Sequence, residues 1–208
     1  MGDISGVEAL VRWNKPDGTV LTPVDFLSLA EQTGFIFQLG KWVFRQALID
    51  IKHQQLQTGN AKLKVTVNVT AKQLEAADFT EYVSQLLKEL KFNPHCLELE
   101  ISEQVLIHKN ESCFFSLNYL NQLGVSIAVD NFGLSYANLL NLRSLPVGRL
   151  KINREIMSNA DAAGKDTYSI VSAVIALASS LSLKVTMGGI ETTKQANLIE
   201  EIDGFEKQ

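Results

Sequence analysis

The run KVTVNVT, residues 64 to 70, decides the fold. Side chains alternate across a strand, so Val65, Val67 and Val69 share one face while Thr66, Asn68 and Thr70 share the other. The same parity recurs downstream. Leu97, Leu99 and Ile101 oppose Glu98 and Glu100, Ile127 and Val129 oppose Ala128 and Asp130, and Leu150 and Ile152 oppose Arg149, Lys151 and Asn153. In each run one face is apolar, and the other carries polar or charged groups near its C-terminal end.

Working outward, six β-rich runs are predicted: Ile4 to Trp13, Leu63 to Val69, Leu97 to Ile101, Val125 to Val129, Gly148 to Ile152 and Leu183 to Met187. Between them lie segments with helical spacing, such as Phe26, Leu27, Ala30 and Val171, Val174, Ile175, Ala178. Thr22 before Pro23 predicts a helix start, and Gly34 a helix stop. Strands alternating with helices imply a parallel sheet, either open or closed. An open sheet covered on both sides would be apolar on both faces, so polar groups at strand ends favour a closed (β/α) barrel with a functional mouth. An antiparallel sheet wetted on one side would show the same alternation. The absence of hairpin signals and the long helical connections weigh against it.

With 208 residues, 46% of them hydrophobic, the chain is expected to form a single domain over residues 1–208. Nineteen Lys and Arg against 23 Asp and Glu, with no basic run, exclude nucleic acid as the expected partner. Cys96 and Cys113 are too few for a disulfide framework or a thiolate zinc site, and no apolar signal stretch opens the chain; both point to a cytoplasmic setting. The stretch Ile170 to Leu183 reads as an amphipathic buried helix, too short to span a bilayer. His53, His95 and His108 read as surface or helix-end residues, and Trp13 and Trp42 as packing residues.

In a barrel, Glu8, Asn68, Glu100, Asp130 and Lys151 would converge on one mouth. Three carboxylates and an amide are hard oxygen donors suited to Mg²⁺ or Mn²⁺, and without a cation the carboxylates would repel one another. Taken singly, an acid at a strand end also serves as a helix N-cap.

EALVRW (8–13), VNVTAKQL (67–74), LELEISE (97–103), AVDNFG (128–133), LRSLPVGRLKINR (142–154) and GIET (189–192) resemble, in order, the motifs of the EAL-domain family across nearly the whole chain. The resemblance implies a modified TIM-type (β/α)8 barrel, here without the family's usual first and last strands and so truncated at both ends. It also implies a relation to Mg²⁺- or Mn²⁺-dependent phosphodiesterases that open cyclic di-GMP to pGpG. By resemblance Glu8, Asn68, Glu100 and Asp130 are metal ligands. Lys151 and Glu191 are catalytic, Leu10 and Arg12 contact substrate, and Glu103 braces the loop after the aspartate strand. Glu8, Leu10 and Arg12 would share one face of their strand.

Three positions depart from the family pattern: Asn131 stands where a second aspartate is usual, Asn153 where Lys-Ile-Asp is usual, and Gly188 where a glutamate proposed as general base is usual. The loop Leu134 to Asn138 also lacks the family's glycine. An amide oxygen can still ligate but lacks a full charge, so a second cation would be held less well, and glycine cannot take a proton. The expectation is a degenerate EAL domain. It would act as a cyclic di-GMP receptor or a protein-interaction module in bacterial second-messenger signalling, the alternative being a weakly active phosphodiesterase. A homodimer through the region of Asn138 and Leu139, or a protein partner, is a further expectation, as is carriage within a larger membrane-anchored protein.

Overall fold

A computed structural model describes residues 4–107, 110–133, 139–153, 160–188, 190 and 192, with the backbone alone for 139–140 and 160–168. Its strands are β1 (Gly6–Ala9), β2 (Trp13–Asn14), β3 (Val20–Leu21), β4 (Lys64–Val69), β5 (Leu97–Ser102), β6 (Ser126–Phe132), β7 (Arg149–Ile152) and β8 (Lys184–Met187). Interleaved with them are helices α1 (Pro23–Thr33), α2 (Phe35–Thr58), α3 (Ala71–Glu75), α4 (Phe79–Glu89), α5 (Gln104–Ile107), α6 (Glu111–Gln122), α7 (Leu139–Ser144) and α8 (Ala160–Ser180). Six strands follow the hydrogen-bonded order β1-β4-β5-β6-β7-β8. The pairs β1 with β4, β6 with β7 and β7 with β8 are parallel, which decides against the antiparallel alternative.

The chain packs as two compact units, residues 1–99 with 111–126 and residues 100–110 with 127–208. In the first, the helix start expected at Thr22 is present and takes the form of a capping box: the Thr22 backbone N–H donates to the Asp25 carboxylate at 2.7 Å, Pro23 opens α1, and Gly34 closes it at φ 75°. Thr70 repeats the device at α3 with Gln73, whose side-chain amide also donates to the Ile36 carbonyl at 3.3 Å. Gly40 permits that contact, because a Cβ there would overlap the Gln73 amide. Phe44, Leu48 and Ile51 from α2, Val65 and Val67 from β4, and Leu117 and Leu120 from α6 are all buried.

In the second unit, Leu150 and Ile152 of β7 are buried, as are Val171, Ile175 and Ala178 on the predicted face of α8. Among the described residues no helix is long and apolar enough to cross a membrane.

The structure corrects or refines some of the sequence expectations. The run from Ile4 to Trp13 is not one strand: β1 ends at Ala9, and Trp13–Asn14 pairs antiparallel with Val20–Leu21. Lys15-Pro16-Asp17-Gly18 makes a hairpin turn after all, with Gly18 at φ 85° and the Thr19 N–H donating to Asp17 at 2.8 Å. Trp13 and Trp42, expected as packing residues, are 50% and 56% exposed, with Trp13 packed edge-on against Phe26. Finally, the charged face of β5 is enclosed at Glu98 and Glu100, which are both buried as Leu97, Leu99 and Ile101 are.

Candidate functional site

In the first unit, register sets the site. Glu8 of β1 lies opposite Thr66 of β4, and Asn68, two residues further, is on the same side as Thr66. The diagonal is short enough for the Asn68 side-chain amide to donate to Glu8 Oε1 at 2.8 Å. The Asn68 carbonyl oxygen and the second Glu8 oxygen are hard donors next to that bond. Glu98, one turn of the pleat before Glu100, accepts from the Thr66 hydroxyl at 3.3 Å. Leu10 and Arg12, expected on the same strand face as Glu8, instead follow the end of β1 in unpaired backbone. Both are exposed, and the Arg12 guanidinium donates to the neighbouring Val11 carbonyl at 2.8 Å.

In the second unit, β6 and β7 bring Asp130 and Lys151 together. The Lys151 ammonium lies 2.6 Å from Glu100 Oε1 and 3.7 Å from Asp130 Oδ1. One ammonium between two carboxylates leaves a net negative charge, the condition that draws a cation. The pairing here is irregular: Ala128 faces Arg149, Val129 faces Leu150, and the next partner of Ile152 is Phe132. Asp130 and Asn131 together therefore stand against Lys151 alone, a β-bulge of the kind that re-aims side chains. Asn131 takes φ 56° to make it, and Gly133 follows at φ 102°. Asparagine tolerates that left-handed backbone better than most residues. The Asn131 amide then donates to Asp130 Oδ2 at 2.6 Å, and the Asn153 amide donates to Asn131 Oδ1 at 2.5 Å.

The bulge and the Asn153–Asn131–Asp130 line were not read from the sequence. The available signal was an asparagine, tolerant of positive φ, just before Phe132-Gly133, but the register slip depends on β7 and is not local.

The remaining expected site residues are placed as follows. Glu103 is buried at the start of α5, where its carbonyl accepts from the Leu106 N–H at 2.9 Å; the loop it was expected to brace lies outside the described residues. Gly188 follows β8, its N–H donating to the Ile152 carbonyl at 3.4 Å. Glu191 and Asn138 lie outside the described residues, as does the side chain of Leu139. Both cysteines are buried free thiols. Burial, then the nearby Glu75 carboxylate, pushes the Cys113 thiol up to about 11, which makes it a poor nucleophile.

Among the described residues no three of His, Cys, Asp and Glu form a metal-holding group. Each unit instead offers a pair of oxygen-bearing side chains, Glu8 with Asn68 and Glu100 with Asp130. These donor types fit Mg²⁺ or Mn²⁺ and do not fit a thiolate or imidazole metal.

Acids and a lysine set toward the C-terminal ends of parallel strands, with helices between, define a barrel-class α/β protein. The chain belongs to the EAL domain family, whose sequence pattern matches residues 1–205. It is 37% identical over 200 residues to the cyclic di-GMP phosphodiesterase NbdA of Pseudomonas aeruginosa, covering 96% of this chain and 25% of that protein. To the bifunctional diguanylate cyclase/cyclic di-GMP phosphodiesterase MucR of the same organism it is 36% identical over 201 residues, covering 97% and 29%. The solved structure of the PaMucR phosphodiesterase in its c-di-GMP complex superposes with a TM-score of 0.89 at 36% identity, covering 97% of this chain and 81% of that one. The chain thus spans about a quarter to a third of the length of the curated relatives it matches. It is an EAL domain related to cyclic di-GMP phosphodiesterases, with the parallel, barrel-type fold of that family.

Proposed function

We propose that this chain is a regulatory EAL domain that binds cyclic di-GMP without turning it over at a useful rate. The observation that carries the reading is the pair of amides at 131 and 153. Asn131 and Asn153 bond to each other and to Asp130, where two further acids would have offered charge to a second cation. Gly188 supplies no side chain to take a proton.

In this reading Glu8 and Asn68 of the first unit, and Glu100 and Asp130 of the second, would each offer oxygen donors to Mg²⁺ or Mn²⁺, which when bound would neutralise phosphodiester charge. The exposed Arg12 guanidinium donates to the neighbouring Val11 carbonyl, a bond it can exchange to grip a phosphate in a two-point fork, with the exposed Leu10 nearby as an apolar contact. Lys151 orients water or holds phosphate charge. The relatives named as cyclic di-GMP phosphodiesterases support the choice of ligand.

A second reading, a slow phosphodiesterase, is favoured by one observation: Lys151 stays poised between Glu100 and Asp130. A protein-interaction role with no nucleotide is the third.

Titrating fluorescent cyclic di-GMP into the protein with Mg²⁺ or Mn²⁺ tests the receptor reading. Micromolar binding is expected, with Arg12→Ala weakening it about tenfold or more. No binding at high micromolar ligand leaves the interaction role alone.

A further inference from the structure

We propose that Asn131 and Asn153 are coupled positioning residues: their amides run one line of hydrogen bonds into Asp130, engaging Oδ2 and presenting Oδ1 to Lys151 or a divalent cation. The inference rests on three features of the second unit. First, the bulge puts two residues of β6 against Lys151 alone, so the aim of Asp130 is set by local geometry rather than by strand alternation. Second, both bonds point the same way. Asn153 Nδ2 donates to Asn131 Oδ1, and Asn131 Nδ2 donates to Asp130 Oδ2, so each amide uses its donor toward the carboxylate. Third, the two oxygens of Asp130 face different partners, Oδ2 the amide and Oδ1 the ammonium.

An asparagine kept only for its left-handed backbone would turn its side chain onto nearby main chain. Asn131 instead joins the side chain of Asp130 beside it on β6 to that of Asn153 just past β7, and Asn153 is itself 7% exposed. Bonds to a charged acceptor are stronger than neutral ones, so the line ends on its strongest member and holds the carboxylate with a single oxygen outward. Groups that orient a metal-binding side chain in this way commonly change metal affinity by about 10- to 100-fold when removed.

The consequence for metal binding depends on the reading of Asp130 as a ligand, whereas the brace itself depends only on the two hydrogen bonds. The test separates them. Asn131→Gly keeps the backbone conformation and deletes the amide; Asn153→Ala deletes the outer amide. Mn²⁺ affinity of the full chain is followed by electron paramagnetic resonance. Exchange of the Asn131 side-chain amide protons is followed by NMR in EDTA.

Asn131→Gly is expected to weaken Mn²⁺ about tenfold. Asn153→Ala should weaken it less, and the double variant no more than Asn131→Gly alone, because the outer amide acts through the inner one. In EDTA, Asn153→Ala should speed exchange of the Asn131 amide about fivefold. Unchanged Mn²⁺ affinity in Asn131→Gly, additive losses in the double variant, or unchanged exchange in Asn153→Ala would each overturn the brace. If the parent protein binds no Mn²⁺, the cation reading of Asp130 fails instead, and the exchange measurement alone decides the brace.

Discussion

Glu100 has a side chain 2% exposed, and a carboxylate so enclosed keeps its charge only where a cation meets it. Lys151 supplies that cation at 2.6 Å while remaining 27% exposed, so it neutralises the acid without being sealed in itself. Replacing Lys151 by methionine removes this ion pair and leaves the acid buried. Breaking one side of such a pair costs about 3 kcal/mol, which urea denaturation would register directly. Adding Glu100→Gln should restore most of the loss, since the uncompensated charge is then gone. A loss under about 0.5 kcal/mol in Lys151→Met would mean that solvent, rather than the lysine, carries Glu100. At this scale the sequence was readable where parity sufficed: Asn68 and Lys151 sit on the less buried side of strands whose apolar residues are buried, as alternation put them. It was not readable for Asp130 and Asn131, whose directions follow from a bulge set by a strand some twenty residues away.

At the scale of elements, helix α1 shows how much local chemistry can announce. Threonine, proline and a glycine eleven residues beyond the proline mark its ends, and the structure has all three in those roles. The Asp25 carboxyl is held below its ordinary 3.8, first by the Thr22 backbone N–H and then by the Thr22 hydroxyl. A group whose folded pKa is depressed stabilises above its unfolded value and loses that contribution as pH falls through the folded one. The cap is therefore at full strength above about pH 3.8 and weakens below it. In Asp25→Asn the acid limb of the stability curve below that value should be shallower than in the parent, measured by thermal melts at stepped pH. An identical limb would show that the cap contributes nothing to acid sensitivity. The hairpin of β2 and β3 was legible on the same grounds, since Pro16-Asp17-Gly18 is a turn signal. The apolar residues run on through Trp13, however, and so mask the point where the chain reverses. Burial of both faces of β5 was not local information at all: it depends on what packs over Glu98 and Glu100.

At the scale of the molecule, the order β1-β4-β5-β6-β7-β8 and the EAL-family match agree with the parallel reading taken from valine alternation. Each unit holds its own donor pair at strand ends. The second adds a lysine and a line of amides ending on Asp130. Fold and donor types could be anticipated because periodicity and motif order are linear properties of the chain. Whether the site performs chemistry could not, because an Asp-to-Asn change alters charge by one unit while leaving pattern and shape almost untouched. The central claim is that this frame binds cyclic di-GMP and does not open it. Incubating the protein with cyclic di-GMP and saturating Mg²⁺ or Mn²⁺, then resolving nucleotides by chromatography, tests it most directly. The account predicts cyclic di-GMP recovered intact over many hours with the protein in excess. Accumulation of pGpG that disappears in Glu8→Ala would contradict it.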